Sequence, residues 1–464
     1  MPIHSLSDSI QTLADWLFMP WVLLLLMGGG VYLTLRLGWV QVRRFREGLG
    51  VLVAEQSRTA GGALSPFQSF MTALGASIGT GNIAGVATAI ISGGPGALFW
   101  IWCFGFFATA IKFCEAVLGL RFRIAQGDTV RSGPMYYLRD GLKSPALAWT
   151  FALASCLAAL TTAPFNQPNS IGVAMDHVLP GGQIALPWFG LVSRTALYTG
   201  LVVAVLTWAV VIGGIQAIGR AAEKLAPLKV SLYLIGGLIV ILTHLPALPE
   251  VLATVFREAF SFRAAGGTAA GLGVVIAMRY GVARGVYANE AGYGSAAMAY
   301  GTARSDRPDQ QGLNAVMETF IISCVTSSIS ALTILVTGVA QHSIAAIRAG
   351  GAGVTSTAAV AAAFNASMPT VGGWIVAFCS FLFGYTTLIG WAFFGEQALE
   401  YLIGGKGARA YRWVYCLLIP FGAIAKPSAV WAWGDLMSVV QVFPNMIGLV
   451  GLVGIAARYA RAKD

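Results

Sequence analysis

Charge is what this sequence has least of. Asp, Glu, Lys and Arg together make up 10% of its 464 residues, against roughly 25% in soluble domains. So few charged groups cannot cover the surface of a water-soluble chain of this length, and an array of soluble domains is excluded. Histidine is scarcer still. The four, His4, His177, His244 and His342, fall near segment ends or in outside loops, which leaves mid-segment hydroxyls without a general base. The six cysteines, Cys103, Cys114, Cys156, Cys324, Cys379 and Cys416, lie inside apolar runs with neither metal-ligand spacing nor a disulfide pattern, and read as small core residues. No basic region precedes the first apolar run, and RLGWVQVRRFR rather than a small-residue cleavage site follows it. The first helix is therefore expected to be retained.

What is present in quantity is apolar sequence: 57% hydrophobic residues and a mean hydropathy of +0.73. Apolar runs near 20 residues are membrane-spanning helices. We expect an all-α polytopic membrane protein with eleven spans, at 16–37, 66–92, 97–120, 145–163, 193–214, 226–244, 267–299, 312–340, 371–403, 411–425 and 433–457. With the N-terminus outside, the outer segments carry only Arg194, Arg257, Arg263, Arg348 and Lys426, and Lys112, Arg279 and Arg284 lie within spans. The other basic residues, Lys229 among them, are placed in inner loops. That asymmetry follows the positive-inside rule, so the net charge of +10 marks topology and not nucleic-acid binding.

The chain holds 57 glycines. Some allow close helix packing; others break helices, which at membrane depth is tolerated only where the backbone is buried in protein or lines a cavity. The second span (GASIGTGNIAG) and the seventh (GGTAAGLGVVIAMRYGVARGVYANEAG) look broken. With the first span (about 16–37) as an addition, spans 2–6 (about 66–244) and 7–11 (about 267–457) form two five-helix repeats of one transporter domain. Each repeat opens on a broken helix, and the odd number makes the repeats inverted. This is the sequence pointer to a secondary transporter's binding site.

GASIGTGNIAGVATAI, residues 75–90, also matches three unrelated motifs. As a G-x-S-x-G elbow it would make Ser77 a nucleophile, but base and strand–turn–helix context are missing. As a dinucleotide loop it lacks the preceding strand and the later acidic residue. As G-x-x-x-G packing it explains Gly81 and Gly85 but not Gly75 and Gly79 clustered with Ser77, Thr80 and Asn82. Polar groups in mid-span are costly unless they serve a site. Unwound backbone offers N–H groups to a carboxylate and carbonyl oxygens to Na⁺ or an ammonium.

GTGNIAGVATAIISGGPGALFWIW (79–102), GPMYYLRDGL (133–142), NQPNSI (166–171), GVARGVYANEAGYGSA (281–296), LIGWAFFGEQALEYLIG (388–404) and VFPNMIGLV (442–450) together resemble the alanine/glycine:cation symporter family, also called sodium:alanine symporters. The resemblance implies the inverted five-plus-five fold of the amino acid–polyamine–cation superfamily with one extra N-terminal helix. It implies uptake of a small neutral amino acid, alanine or glycine, coupled to Na⁺ or H⁺, with no cofactor beyond the coupling ion. It places substrate contacts at Gly79, Thr80, Gly81, Gln167, Gly273, Ile276, Thr387 and Trp391. The break of the seventh span falls near Gly273 or at Gly281–Gly285. Carbonyls near Gly75 and Ile78, with the hydroxyls of Thr386 and Thr387, are the candidate Na⁺ ligands. Asn289 and Glu290 are read as structural residues near the inner mouth, and Lys112 and Glu115 as a local i,i+3 ion pair. Three departures stand out: Ile322-Ser323 where the family pattern has Asp-Thr, Phe393-Phe394 in place of a Tyr pair, and Pro168 inside the glutamine motif.

The expected protein is thus not an enzyme but a symporter, functional as a monomer in the bacterial inner membrane, with its C-terminus in the cytoplasm. A symporter for serine or D-alanine is the runner-up. A substrate-sensing receptor on a transporter fold is the rival from another class, and the short stretch after the last span speaks against it.

Overall fold

The structure, a computed structural model, describes residues 12–13, 16–53, 61–126, 129–187, 189–261 and 272–461. Of the residues singled out by sequence, His4, Arg263 and the start of the seventh stretch lie outside them. The fold is helical, with short antiparallel hairpins pairing Ile124–Gln126 with Thr129–Arg131 and Gln183–Leu186 with Gly190–Ser193.

Helix occupies each of the eleven expected stretches over the described residues. Among the described residues, seven helical segments are long and apolar enough to cross a membrane, and a bent pair makes an eighth. The remaining three stretches, at 23–36, 272–300 and 408–424, are helical but shorter or interrupted.

The helices that frame the site are α1 (Pro66–Ser77), α2 (Ala84–Gly93), α3 (Ala97–Arg121), α4 (Pro145–Thr161), α5 (Ala163–Val178), α6 (Gly214–Thr243), α7 (Leu272–Asn289), α8 (Ser295–Tyr300), α9 (Pro308–Phe320), α10 (Val371–Ile403) and α11 (Ala408–Ile424). Helix α1 starts on a capping box: the Ser65 hydroxyl accepts from the Gln68 N–H, the Gln68 side chain accepts from the Ser65 N–H, and Pro66 occupies the first turn. It stops at Ser77, and the chain resumes as a short 3₁₀ turn, Thr80–Asn82, bent by 61° from α1. Asn82 holds the bend by donating to Ser77 O at 3.3 Å and Ala288 O at 3.4 Å.

Three expectations are corrected. The fourth span does not end at 163. It runs through a joint at Thr162 into α5, which restarts on Pro164, so Gln167 lies within a helix and not beyond one. The seventh span does not break at Gly281–Gly285, and Gly273 lies in the first turn of α7, next to residues outside those described. Helix α7 is continuous to Asn289, and the chain turns at Glu290–Gly294, where Glu290, Gly292 and Gly294 take φ of 55°, 91° and 78°. Lys229 is not in an inner loop. It is buried within α6, in a stripe with Ile218, Ala222, Ala226, Tyr233, Gly237 and Val240, spaced by three or four residues as one helix face requires. Leu228, Ile235, Leu238 and Leu242 on the other side are exposed, as a lipid-facing surface demands.

Several loops that carry the basic excess meet at one end of the molecule. Arg123 donates to Gly61 O at 2.7 Å and Ser305 O at 3.0 Å, Arg304 N donates to Leu64 O at 2.7 Å, and Arg43 and Arg44 reach Ala460 O and Tyr459 O at 2.7 and 2.9 Å.

Helix α10 packs on α1 where a methyl at Gly390 would come within 2.6 Å of Ala76 Cβ. Gly390→Val is expected to push the two helices apart and destabilise the fold by about 1–3 kcal/mol, read as a lower thermal-unfolding midpoint of the purified protein.

Candidate functional site

The bend of α1 leaves a cavity of about 430 Å³, counting its open mouth. Ser77, Gly79 and Gly81 come to it from the break, Ala158, Thr162, Ala163 and Gln167 from the α4–α5 joint, Tyr287, Glu290 and Tyr293 from the second break, Thr387 and Trp391 from α10, and Gln441 from the last helix. Thr387 and Trp391 are four residues apart, hence one above the other on one face of α10.

The glycines are required by close approach. A methyl at Gly79 would lie 2.8 Å from Thr387 Oγ1 and 3.1 Å from Gln167 Oε1; one at Gly81 would lie 2.8 Å from the Tyr287 ring. Gln167 Oε1 accepts from Thr80 N at 3.1 Å and from Thr80 Oγ1 at 2.9 Å. Five of the eight expected substrate contacts, Gly79, Gly81, Gln167, Thr387 and Trp391, line the cavity. Thr80 joins them through Gln167. Gly273 and Ile276 are not brought to it: they lie in the first turns of α7, ahead of the residues that reach the cavity.

The expected cation ligands also converge. Gly75 O, Ile78 O and Thr386 Oγ1 surround one point, at which the Nζ of Lys229 sits, while Thr387 Oγ1 donates to Ala76 O at 2.7 Å.

Beneath the cavity lies a cluster of buried charge. Lys112 pairs with Glu318 at 3.0 Å, both fully buried. Ser77 Oγ donates to Glu318 at 2.8 Å, and the Tyr300 hydroxyl donates to the other Glu318 oxygen at 2.9 Å. Lys112 also donates to Ser77 Oγ at 3.3 Å. The pairing expected for Lys112 with Glu115 is thus corrected. Glu115 instead accepts from Gly292 N at 2.9 Å, Gly294 N at 3.1 Å and Asn445 Nδ2 at 2.8 Å, pinning the second break. Glu290, expected to be structural, lines the cavity and accepts from Trp391 Nε1 at 2.7 Å. Ile322, where the family pattern has Asp, is fully buried, and Ser323 accepts from Asn289 Nδ2 at 3.2 Å.

Glu290, Tyr287, Tyr293, Thr162, Gln441 and Lys229 were missed from the sequence. Lys229 had a readable signal, its place in the apolar stripe of α6. Glu290 had another, the glycines two and four residues on. The rest had none, because only the tertiary fold brings them together.

Two facing broken helices around a shared cavity, in a chain of membrane-length helices, define a secondary transporter rather than an enzyme. The chain belongs to the sodium:alanine symporter family, whose model matches residues 3–462. It is 37% identical over 461 residues to the sodium/alanine symporter AgcS of Methanococcus maripaludis, covering 98% of this chain and 96% of that protein. It is 32% identical over 439 residues to the probable sodium/glutamine symporter GlnT of Bacillus subtilis, over 94% of this chain and 86% of that one. A solved manganese transporter of Eremococcus coleocola is similar in fold, with a TM-score of 0.53 at 15% identity over 84% of this chain and 81% of that chain.

Removing one partner of a buried ion pair strands the other charge, at a cost of about 3–5 kcal/mol. Lys112→Met and Glu318→Gln are each expected to lower the unfolding midpoint, and the double variant to fall by less than the two losses combined. Strict additivity in that double-mutant cycle would show that the two groups do not act as a pair.

Proposed function

We propose that this protein carries a small neutral amino acid, alanine or glycine, inward together with Na⁺ by alternating access around the cavity at Gly79–Gly81. The observation that carries the reading is the opposed polarity of the cavity walls. At one side Thr80 N–H and Oγ1 converge on the Gln167 carbonyl oxygen. A substrate carboxylate is a stronger acceptor for the same two donors, and the start of a helical turn favours an anion there. On another side stands the Glu290 carboxylate, a counter-charge for the substrate's ammonium. Tyr287, Tyr293 and Trp391 wall the remainder and limit side-chain volume.

Family membership supports Na⁺ as the coupling ion, with H⁺ as the alternative. The basic loops gathered at one end support a cytoplasmic face there, and hence the N-terminus outside. A broken helix in each half supports the two-repeat reading of 66–244 and 267–457. Serine and D-alanine are the nearest substitutes as substrate. A second reading, a larger polar side chain such as glutamine, is favoured by Thr162 and Gln441 in the cavity wall and by the name of the Bacillus relative. A receptor that binds without cycling has no observation in its favour beyond the cavity itself.

The test is uptake of labelled alanine by proteoliposomes with and without an inward Na⁺ gradient, followed by competition with unlabelled amino acids. Concentrative alanine uptake that glycine and serine inhibit and glutamine does not is the expected result. Indifference to both Na⁺ and pH gradients would sink the coupling claim. A carboxylate that takes the two Thr80 donors leaves the Gln167 amide beside it to donate from Nε2, so Gln167→Ala is expected to weaken alanine binding about tenfold or more, since a hydrogen bond to a charged group contributes about 1.5–3 kcal/mol. Unchanged affinity would remove Gln167 from the site. Trp391→Ala is expected to admit longer side chains, read as a rise in inhibition by leucine or glutamine.

A further inference from the structure

The oxygen cage at the end of α1 is already occupied, and the occupant is a side chain of the protein. Lys229 Nζ donates to Gly75 O at 3.0 Å, to Ile78 O at 2.6 Å and to Thr386 Oγ1 at 2.5 Å. An ammonium has three N–H donors and no acceptor, and the cage presents three oxygens. Two of them are carbonyls at the C-terminal end of α1, where a helix presents partial negative charge. The Phe383 ring lies with its centroid 5.1 Å from Nζ and offers its negative face. The lysine is fully buried. Buried lysines are rare because of the cost of desolvating the charge, and here three features offset it: a helix end, a hydroxyl and an aromatic face.

We infer that Lys229 is the resident cation of this cage, and that the Na⁺ which drives transport takes its ligands elsewhere. The inference rests on the symporter reading and deepens it, since it concerns which cation does what at the first break. A second cation on the same three oxygens would stand in contact with the ammonium, and like charges at that distance in a dry interior repel strongly. The ammonium does the mechanical work that a bound ion would do there: it draws the carbonyl end of α1, the hydroxyl of α10 and its own helix α6 to one point. It does so with or without Na⁺ in solution, so the unwound backbone that binds substrate is held open by a covalently tethered charge.

The test is thermal unfolding of the purified full-length protein in choline, sodium and methylammonium chloride at equal ionic strength. Lys229→Ala vacates the seat. Its midpoint in choline is expected to fall by about 3 °C or more, and methylammonium or Na⁺ is expected to restore most of that loss by entering the cage. Wild type is expected to gain nothing from methylammonium. A Lys229→Ala midpoint identical in all three salts overturns the inference. Because that variant could fail to fold, the second measurement uses wild type alone: a high-resolution map in NaCl. Density running from Lys229 into the cage, with no separate ion on Gly75 O and Ile78 O, is the expected result, and an ion there with the lysine turned away overturns it. Amino-acid counterflow by wild-type proteoliposomes separates the two claims. Its absence would remove the symporter reading while leaving the occupancy of the cage as measured.

Discussion

The whole architecture answers to one constraint: backbone groups freed inside a bilayer must be satisfied by the protein itself. Breaking α1 at Ile78 releases carbonyls at one end and N–H groups at the other. Each is met by a side chain from a different helix. Lys229 and Thr387 take carbonyls, Asn82 takes another, and Gln167 takes the N–H and hydroxyl of Thr80. These four residues come from α6, α10, the break and α5, so satisfying one short unwound segment fixes the relative positions of four elements. The binding cavity is the space left over once that has been done.

The second break is satisfied by a different device. Glu115 caps it through two N–H contacts, at Gly292 and Gly294, and Asn445 ties Glu115 to Gly292 O at 2.8 Å. Glu290 is thereby held in the left-handed backbone region, which for a residue with a side chain costs about 1–2 kcal/mol. Its carboxylate is thrown toward Ser77 and Trp391 as a result. Ser77 sits 3.5 Å from Glu290 and 2.8 Å from Glu318. The hydroxyl that the motif GASIG offers as a nucleophile is a donor shared between two buried carboxylates.

Much of this was legible in the sequence, and the failures have physical causes. Length and apolarity marked the helices. The glycines of the first break were legible because close approach to Gln167, Thr387 and Tyr287 admits no side chain. The second break was misplaced because α7 carries two glycines that are spent on packing: a methyl at Gly281 would lie 2.5 Å from Ala97 O, and one at Gly285 would lie 3.0 Å from Phe104. Composition alone does not separate a packing glycine from a hinge glycine. Lys229 was assigned to a loop because a charge next to an apolar run usually marks its end. Only the three- and four-residue spacing of its neighbours says otherwise. Lys112 and Glu115 share a helix face, but tertiary partners at shorter reach separated them.

The joint at Thr162 has a mechanical meaning. Pro168 has no N–H to give to Pro164 O, and Gly422 of α11 comes into close contact with that same carbonyl. One residue further on, Asn169 donates to Gly422 O at 3.2 Å and to Ala425 O at 2.7 Å. Helix α5 is thus fastened to α11 over its first turns, just past the one-residue joint with α4. Gln167 lies two residues before Asn169 on the same helical turn, so the contact that fastens α5 to α11 also fixes where the glutamine amide stands in the cavity.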